Sequence, residues 1–128
     1  MNIALLEDNP AILDYMSTAL RMAGHNVYTH VEIPSLLAAL FDQEKVCSLP
    51  PYDLVIVDLL LPGDMSGVEA IDRIRQSIPP ETLPIVIVSA CSQDELAQVK
   101  ARFPDIPAVR KPFKMSKLLQ TINQLKPA

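Results

Sequence analysis

An acidic pair, Glu7-Asp8, a lone Asp58, a hydroxyl at Ser89 and an amine at Lys111 each come at the end of an apolar run. If those runs are neighbouring strands, three carboxylates, one hydroxyl and one ammonium converge on one edge of the molecule. Carboxylates crowded together repel, and their pKa values rise unless a cation neutralises them. Oxygen ligands with no His or Cys pair nearby favour a hard divalent cation, and a few carboxylates with room for phosphate oxygens suit Mg2+. Such a metal would screen an incoming phosphoryl group while the fixed ammonium holds another of its oxygens. The attacking group would be a carboxylate, giving an aspartyl phosphate. Each residue also has a plainer reading. Asp58 can be the first solvated residue after a strand, Glu7 an acid favoured near a helix N-terminus, Ser89 a strand-end hydroxyl and Lys111 a surface lysine.

The elements that must position these residues are legible in order. Asn2–Leu6 is a short apolar strand, and Asn9-Pro10 starts a helix, with Asn as N-cap and Pro at the first helical position. Ile12, Leu13, Met16, Leu20 and Ala23 follow at helical spacing, and Gly24 is placed to end that helix. Residues 27–31 form a second, less apolar strand nearer an edge, and Pro34 opens a helix with Leu36, Leu37, Leu40 and Phe41 on one face. The pattern lapses over residues 43–52. The run Leu54–Asp58 is dense in β-branched residues and reads as a strand buried on both faces. A Pro- and Gly-broken loop follows. Ser66 with Glu69, and Ser92 with Glu95, have capping-box spacing ahead of two more helices. Between them residues 83–88 form a fourth strand, with Pro84 tolerable near its start. Residues 107–110 make a short fifth strand, and Leu118, Leu119, Ile122 and Leu125 a last helix.

Five strands alternating with five helices predict an α/β fold with a doubly wound parallel sheet. Right-handed crossovers put every strand's carboxyl end on the same edge, where open parallel sheets bind their ligands. The length suits one domain over residues 1–128, and at 49% hydrophobic and 20% charged the chain is expected to fold. No apolar stretch is long enough to span a membrane and no signal peptide is legible, so a cytoplasmic location is expected. A net charge of −4 argues against nonspecific nucleic-acid binding. Cys47 and Cys91 lack metal-ligand spacing and read as reduced thiols. His25 and His30 read as solvated residues around the second strand.

Taken together, the chain resembles the receiver domain of two-component response regulators. The resemblance rests on Glu7-Asp8, Asp58, Pro62 four residues later, Ser89-Ala90 and the triplet Lys111-Pro112-Phe113, in that order on five strands. It implies a flavodoxin-like strand order 2-1-3-4-5. It also implies that Asp58 accepts a phosphoryl group from a phosphohistidine on a sensor histidine kinase or phosphotransfer protein. Glu7, Asp8, Asp58 and the backbone carbonyl of Leu60 would then hold Mg2+. Lys111 would pair with the phosphoryl oxygens, Ser89 with Ala90 would report the phosphoryl group, and the bond before Pro112 would be cis. Such a module modifies itself and is not an enzyme acting on a separate substrate. Its partners would be the kinase and a downstream effector or an output domain, and a homodimer is compatible with it.

Three departures matter. The loop after Asp58 is one residue longer than the commonest form. Two prolines in Phe103-Pro104-Asp105-Ile106-Pro107 stiffen the approach to the fifth strand. Ala108 stands where the family usually has an aromatic residue, so read-out is expected to use something other than an inward-turning ring. Leu60 and Cys91, two positions beyond Asp58 and Ser89, are poorly suited to positioning water, which predicts slow self-dephosphorylation. A phosphatase with an aspartyl nucleophile would want an acid where Leu60 stands. A nucleotide- or flavin-binding module would want a Gly-rich or hydroxyl-rich loop in place of Glu7-Asp8-Asn9-Pro10. A degenerate receiver that only binds partners is the remaining alternative. Whether the chain acts alone or as a segment of a longer regulator is open.

Overall fold

Strands rich in Val, Ile and Leu cannot leave either face in water, and here both faces are covered by helices. The computed structural model describes residues 1–41, 52–59, 66–90, 92–111 and 113–125. Their order is β1 (Asn2–Leu6), α1 (Pro10–Met22), β2 (Asn26–His30), α2 (Ile33–Phe41), β3 (Leu54–Asp58), α3 (Gly67–Ser77), β4 (Ile85–Ser89), α4 (Gln93–Arg102), β5 (Ala108–Arg110) and α5 (Met115–Gln124). All strand pairs are parallel, in the order β2-β1-β3-β4-β5, so the fold is the expected doubly wound, flavodoxin-like α/β sheet.

Alternation along the strands divides the core in two. Ala4, Leu6, Val55, Val57, Ile85 and Ile87 face one layer, with Leu36 of α2 and Ile71 and Ile74 of α3. Ile3, Leu5, Leu54, Ile56, Val86 and Val88 face the other, with Met16 and Leu20 of α1 and Leu118 and Ile122 of α5. All five residues of β3 and of β4 are buried, which fixes the height of the residue at each strand's end.

The helix ends follow the sequence signals. Asn9 accepts hydrogen bonds from the amides of Ala11 (3.0 Å) and Ile12 (3.2 Å), and Pro10 opens α1. Gly24, at φ +96°, closes it: the amide of Gly24 bonds the Arg21 carbonyl and that of His25 the Leu20 carbonyl. Ser66 and Ser92 cap α3 and α4 through the amides of Glu69 and Glu95, each at 3.2 Å.

Several boundaries differ by a residue or two. β2 runs from Asn26 to His30 rather than over 27–31, and it is an edge strand as expected. β4 begins at Ile85, because Pro84 has no N–H to give the ladder, although its carbonyl accepts from Val55 at 3.1 Å. β5 begins at Ala108, with the Pro107 carbonyl accepting from Ile87 at 2.9 Å. α2 starts at Ile33, one residue before Pro34; Phe103 is the C-cap of α4, and Leu125 is the C-cap of α5 rather than a helical residue.

Candidate functional site

The carboxyl ends of β1, β3, β4 and β5 carry the predicted residues to one edge. Asp58 is the last residue of β3 and only 3% exposed; Glu7 follows β1 and is 1% exposed. Asp8, one residue further on, is exposed. One ligand oxygen from each of Glu7, Asp8 and Asp58 can be chosen so that all lie within 4.8 Å of one another. The amide of Glu7 donates to the His30 carbonyl at 3.0 Å, which fixes the turn out of β1 against the end of β2.

Lys111 joins the two buried acids. Its Nζ lies 2.9 and 3.2 Å from the Glu7 carboxylate oxygens and 3.0 Å from Asp58 Oδ2. Its own backbone is held by its amide, which donates a hydrogen bond of 2.8 Å to the Ser89 carbonyl at the end of β4. The lysine thus reaches across β4 and β3 from a backbone locked to the sheet. Burial disfavours its charge, but the hydrogen bonds to Glu7 and Asp58 outweigh that and raise its pKa.

One ammonium cannot balance both acids. Burial, followed by the hydrogen bond to Asp58, pushes the Glu7 carboxyl up from 4.5 to about 7, against the opposing pull of Lys111. Glu7 therefore carries a proton into the neutral range until a stronger positive charge replaces it. The donor set is all oxygen, closely spaced and under-neutralised, which fits a hard divalent cation.

Ser89 is fully buried at the end of β4, one step beyond the Val88 that pairs with Asp58, and Ala90 after it is exposed. Ala108 is half-buried, pairs with Ile87 and packs on the core layer of α2 and α3. Leu60, Pro62, Cys91 and Pro112, to which the sequence assigned a carbonyl ligand, the loop after Asp58, a flank of the water path and a cis bond, lie outside the described residues, as does Cys47.

Two features were not anticipated. Gly67, read only as a loop breaker, is buried where a Cβ would come 2.6 Å from Leu59 Cα and 2.7 Å from the Asp58 carbonyl oxygen. The start of α3 therefore packs directly against the backbone that carries Asp58. Spacing alone carries no signal for such a contact.

The histidines require a correction as well, because His25 is buried and His30 is only partly solvated. His25 is 8% exposed, with Nδ1 3.3 Å from the amine of Met1. The turn that closes α1 folds it inward. His30 is half-buried: Nδ1 is 2.7 Å from Ser35 Oγ and Nε2 is 3.0 Å from the Tyr52 hydroxyl, and burial lowers its pKa. Only tertiary packing brings Ser35 and Tyr52 to its ring.

The response regulator receiver domain is the family whose model matches residues 3–123, and the chain belongs to it. Membership places it in two-component phosphorelay signalling. It is 28% identical over 127 residues to a probable transcriptional regulatory protein, TcrX, of Mycobacterium tuberculosis, a match covering 98% of this chain and 49% of that protein. It is 35% identical over 124 residues to the response regulator ArlR of Staphylococcus epidermidis, covering 95% of this chain and 51% of the relative. The chain thus spans about half the length of the curated relatives it matches. Among solved structures, the response regulator TrrA of Thermotoga maritima, in complex with Mg2+-BeF, superposes with a TM-score of 0.78 at 24% identity, over 98% of both chains. That likeness shows the fold.

Proposed function

We propose that the chain is a phosphorylation-controlled receiver. Asp58 accepts a phosphoryl group from the phosphohistidine of a sensor histidine kinase or phosphotransfer protein, in a Mg2+-dependent reaction. The modification then changes contacts with an effector protein or output domain. The observation that carries this reading is Lys111 Nζ bound to both Glu7 and Asp58, beside three carboxylates whose oxygens lie within 4.8 Å.

Glu7, Asp8 and Asp58 would hold the ion, and the ion would supply charge neutralisation for the three phosphoryl oxygens. Asp58 is the nucleophile. As its oxygen bonds to phosphorus, the phosphorus–nitrogen bond of the donor breaks and the imidazole leaves. Lys111, already 3.0 Å from Asp58, then places its ammonium against a phosphoryl oxygen. Burial of Asp58 and Glu7 keeps water from competing with these contacts. The chain acts on itself and on no separate substrate.

Incubation with Mg2+ and a small phosphodonor, followed by intact-mass measurement, tests the reading. A phosphate-sized increase is expected that is absent in Asp58→Ala and without the metal. No increase with several donors would reject it in favour of a phosphorylation-independent interaction module.

A further inference from the structure

The end of β2 is tied down by a chain of hydrogen bonds that the phosphoryl-transfer reading leaves unused. β2 is an edge strand paired with β1 alone, so its last residue, His30, has no strand beyond it. Strand ends in such a place open easily. Here the His30 ring is gripped on both sides. Nδ1 lies 2.7 Å from the hydroxyl of Ser35, in the first turn of α2, and Nε2 lies 3.0 Å from the hydroxyl of Tyr52, which precedes β3. In a neutral imidazole one nitrogen donates and the other accepts, and a hydroxyl can take either part, so both bonds are kept in either tautomer. Tyr52 is itself anchored. It is 8% exposed, belongs to the core layer of α2 and α3, and its ring centroid lies 5.5 Å from that of Tyr28 and 5.9 Å from that of His30. The clamp thus joins β2, α2 and the approach to β3 at one point.

We propose that Ser35, His30 and Tyr52 are positioning residues for the acidic site, acting on Glu7 through the backbone of His30. The path is short. The His30 carbonyl accepts the Glu7 amide at 3.0 Å, one step beyond the pairing of Leu6 with His30 that ends the β1–β2 register. Glu7 is 1% exposed, and from that turn its carboxylate must meet Lys111 as well as the oxygens of Asp8 and Asp58. A carboxylate that ligates a metal loses affinity when the contacts orienting it are loosened, and such outer contacts are worth about tenfold or more. The effect falls on metal affinity rather than on the nucleophile, because Asp58 is held by β3, which is buried along its whole length. The proposal rests on the reading of Glu7 as a ligand of Mg2+.

The test combines a Mg2+ titration of the full chain, followed by amide NMR, with hydrogen exchange at the Glu7 amide in the metal-free protein. His30→Phe keeps an aromatic ring and removes both hydrogen bonds. It is expected to raise the Mg2+ dissociation constant about tenfold. The Mg2+ concentration for half-maximal phosphorylation by a small phosphodonor should rise in parallel, while the rate at saturating Mg2+ stays within about twofold of the parent's. The Glu7 amide should exchange about tenfold faster relative to the Val86 amide of β4. His30→Gln, whose amide can still serve one hydroxyl, and Tyr52→Phe, which removes one, are expected to lie between. Ile56→Ala is the control for a general loss of stability and is expected to keep the parent's Mg2+ affinity and exchange ratio. The proposal is overturned by a His30→Phe protein with either of those two quantities unchanged, by a fall in the saturated rate alone, or by equal changes in Ile56→Ala. If His30→Phe does not fold, Tyr52→Phe and Ser35→Ala decide by the same criteria. A parent protein that binds no Mg2+ would count against Glu7 as a ligand, and the exchange ratio would then decide whether the clamp holds its turn.

Discussion

Lys111 has one charge with which to hold two buried carboxyl groups, and the consequences at the residue scale can be measured. In the folded protein Glu7 keeps its proton up to about 7, whereas an unfolded chain releases it near 4.5. Between those values the folded state binds the extra proton. The metal-free protein therefore loses stability as pH rises from about 4.5 to about 7, and the loss is complete above that. A divalent cation must displace the same proton, so Mg2+ should bind more weakly at pH values below about 7 than above it. The rise in melting temperature on adding Mg2+ is expected to be larger on the alkaline side of neutrality than on the acid side. Glu7→Gln should flatten that difference. A rise independent of pH in the parent protein would contradict the assignment. Lys111→Met should also destabilise the metal-free protein, since it leaves Glu7 and Asp58 buried together without their shared cation.

At the element scale, two glycines show why identical substitutions differ in outcome. Gly24 ends α1 at φ +96°, and no atom lies within 4 Å of the point where an alanine methyl would stand. Gly24→Ala therefore costs only backbone strain, about 1 kcal/mol. Thermal unfolding should register that loss while phosphorylation of Asp58 proceeds normally. Gly67 has no such strain; it has no space. Gly67→Ala forces a methyl into the backbone of Asp58 and Leu59 and should cost about 1–3 kcal/mol. Because the displaced backbone carries the acceptor, the rate of Asp58 phosphorylation should fall as well. A Gly67→Ala protein phosphorylated at the parent rate would show that the start of α3 does not position Asp58. The sequence marked both glycines as breaks, but only the packing separates a turn residue from a close contact.

For the whole molecule, β3 is the structural centre of the sheet, with β1 on one side and β4 on the other. Ile56 is fully buried in the layer of α1 and α5. Ile56→Ala should cost about 2–5 kcal/mol by lost burial and the cavity left behind. Denaturant unfolding should show that loss equally with and without Mg2+, because the cavity lies in the core and not at the acidic edge. Among the described residues no helix is long and apolar enough to cross a membrane. The same parallel arrangement leaves β2 and β5 as edges.

How much of this was legible in the sequence depends on the range of the interactions involved. Apolar runs, N-caps and helix-ending glycine act within a few residues, so the order of elements, the parallel sheet and the gathering of Glu7, Asp8, Asp58, Ser89 and Lys111 at one edge could be read directly from the chain. Strand ends shifted where Pro84 and Pro107 lack a ladder donor, a local effect that spacing blurs. Tertiary structure decided what depends on distant residues meeting at one height of the sheet. Lys111 is tied to Glu7 across 104 positions of sequence and to Asp58 across 53, and burial then raises the Glu7 pKa. Contact with Ser35 and Tyr52 takes the His30 ring partly out of solvent, and proximity to the Asp58–Leu59 backbone leaves no free space for a side chain at Gly67. A sequence records which groups are available; desolvation and packing, which set their chemistry here, exist only once the strands are side by side.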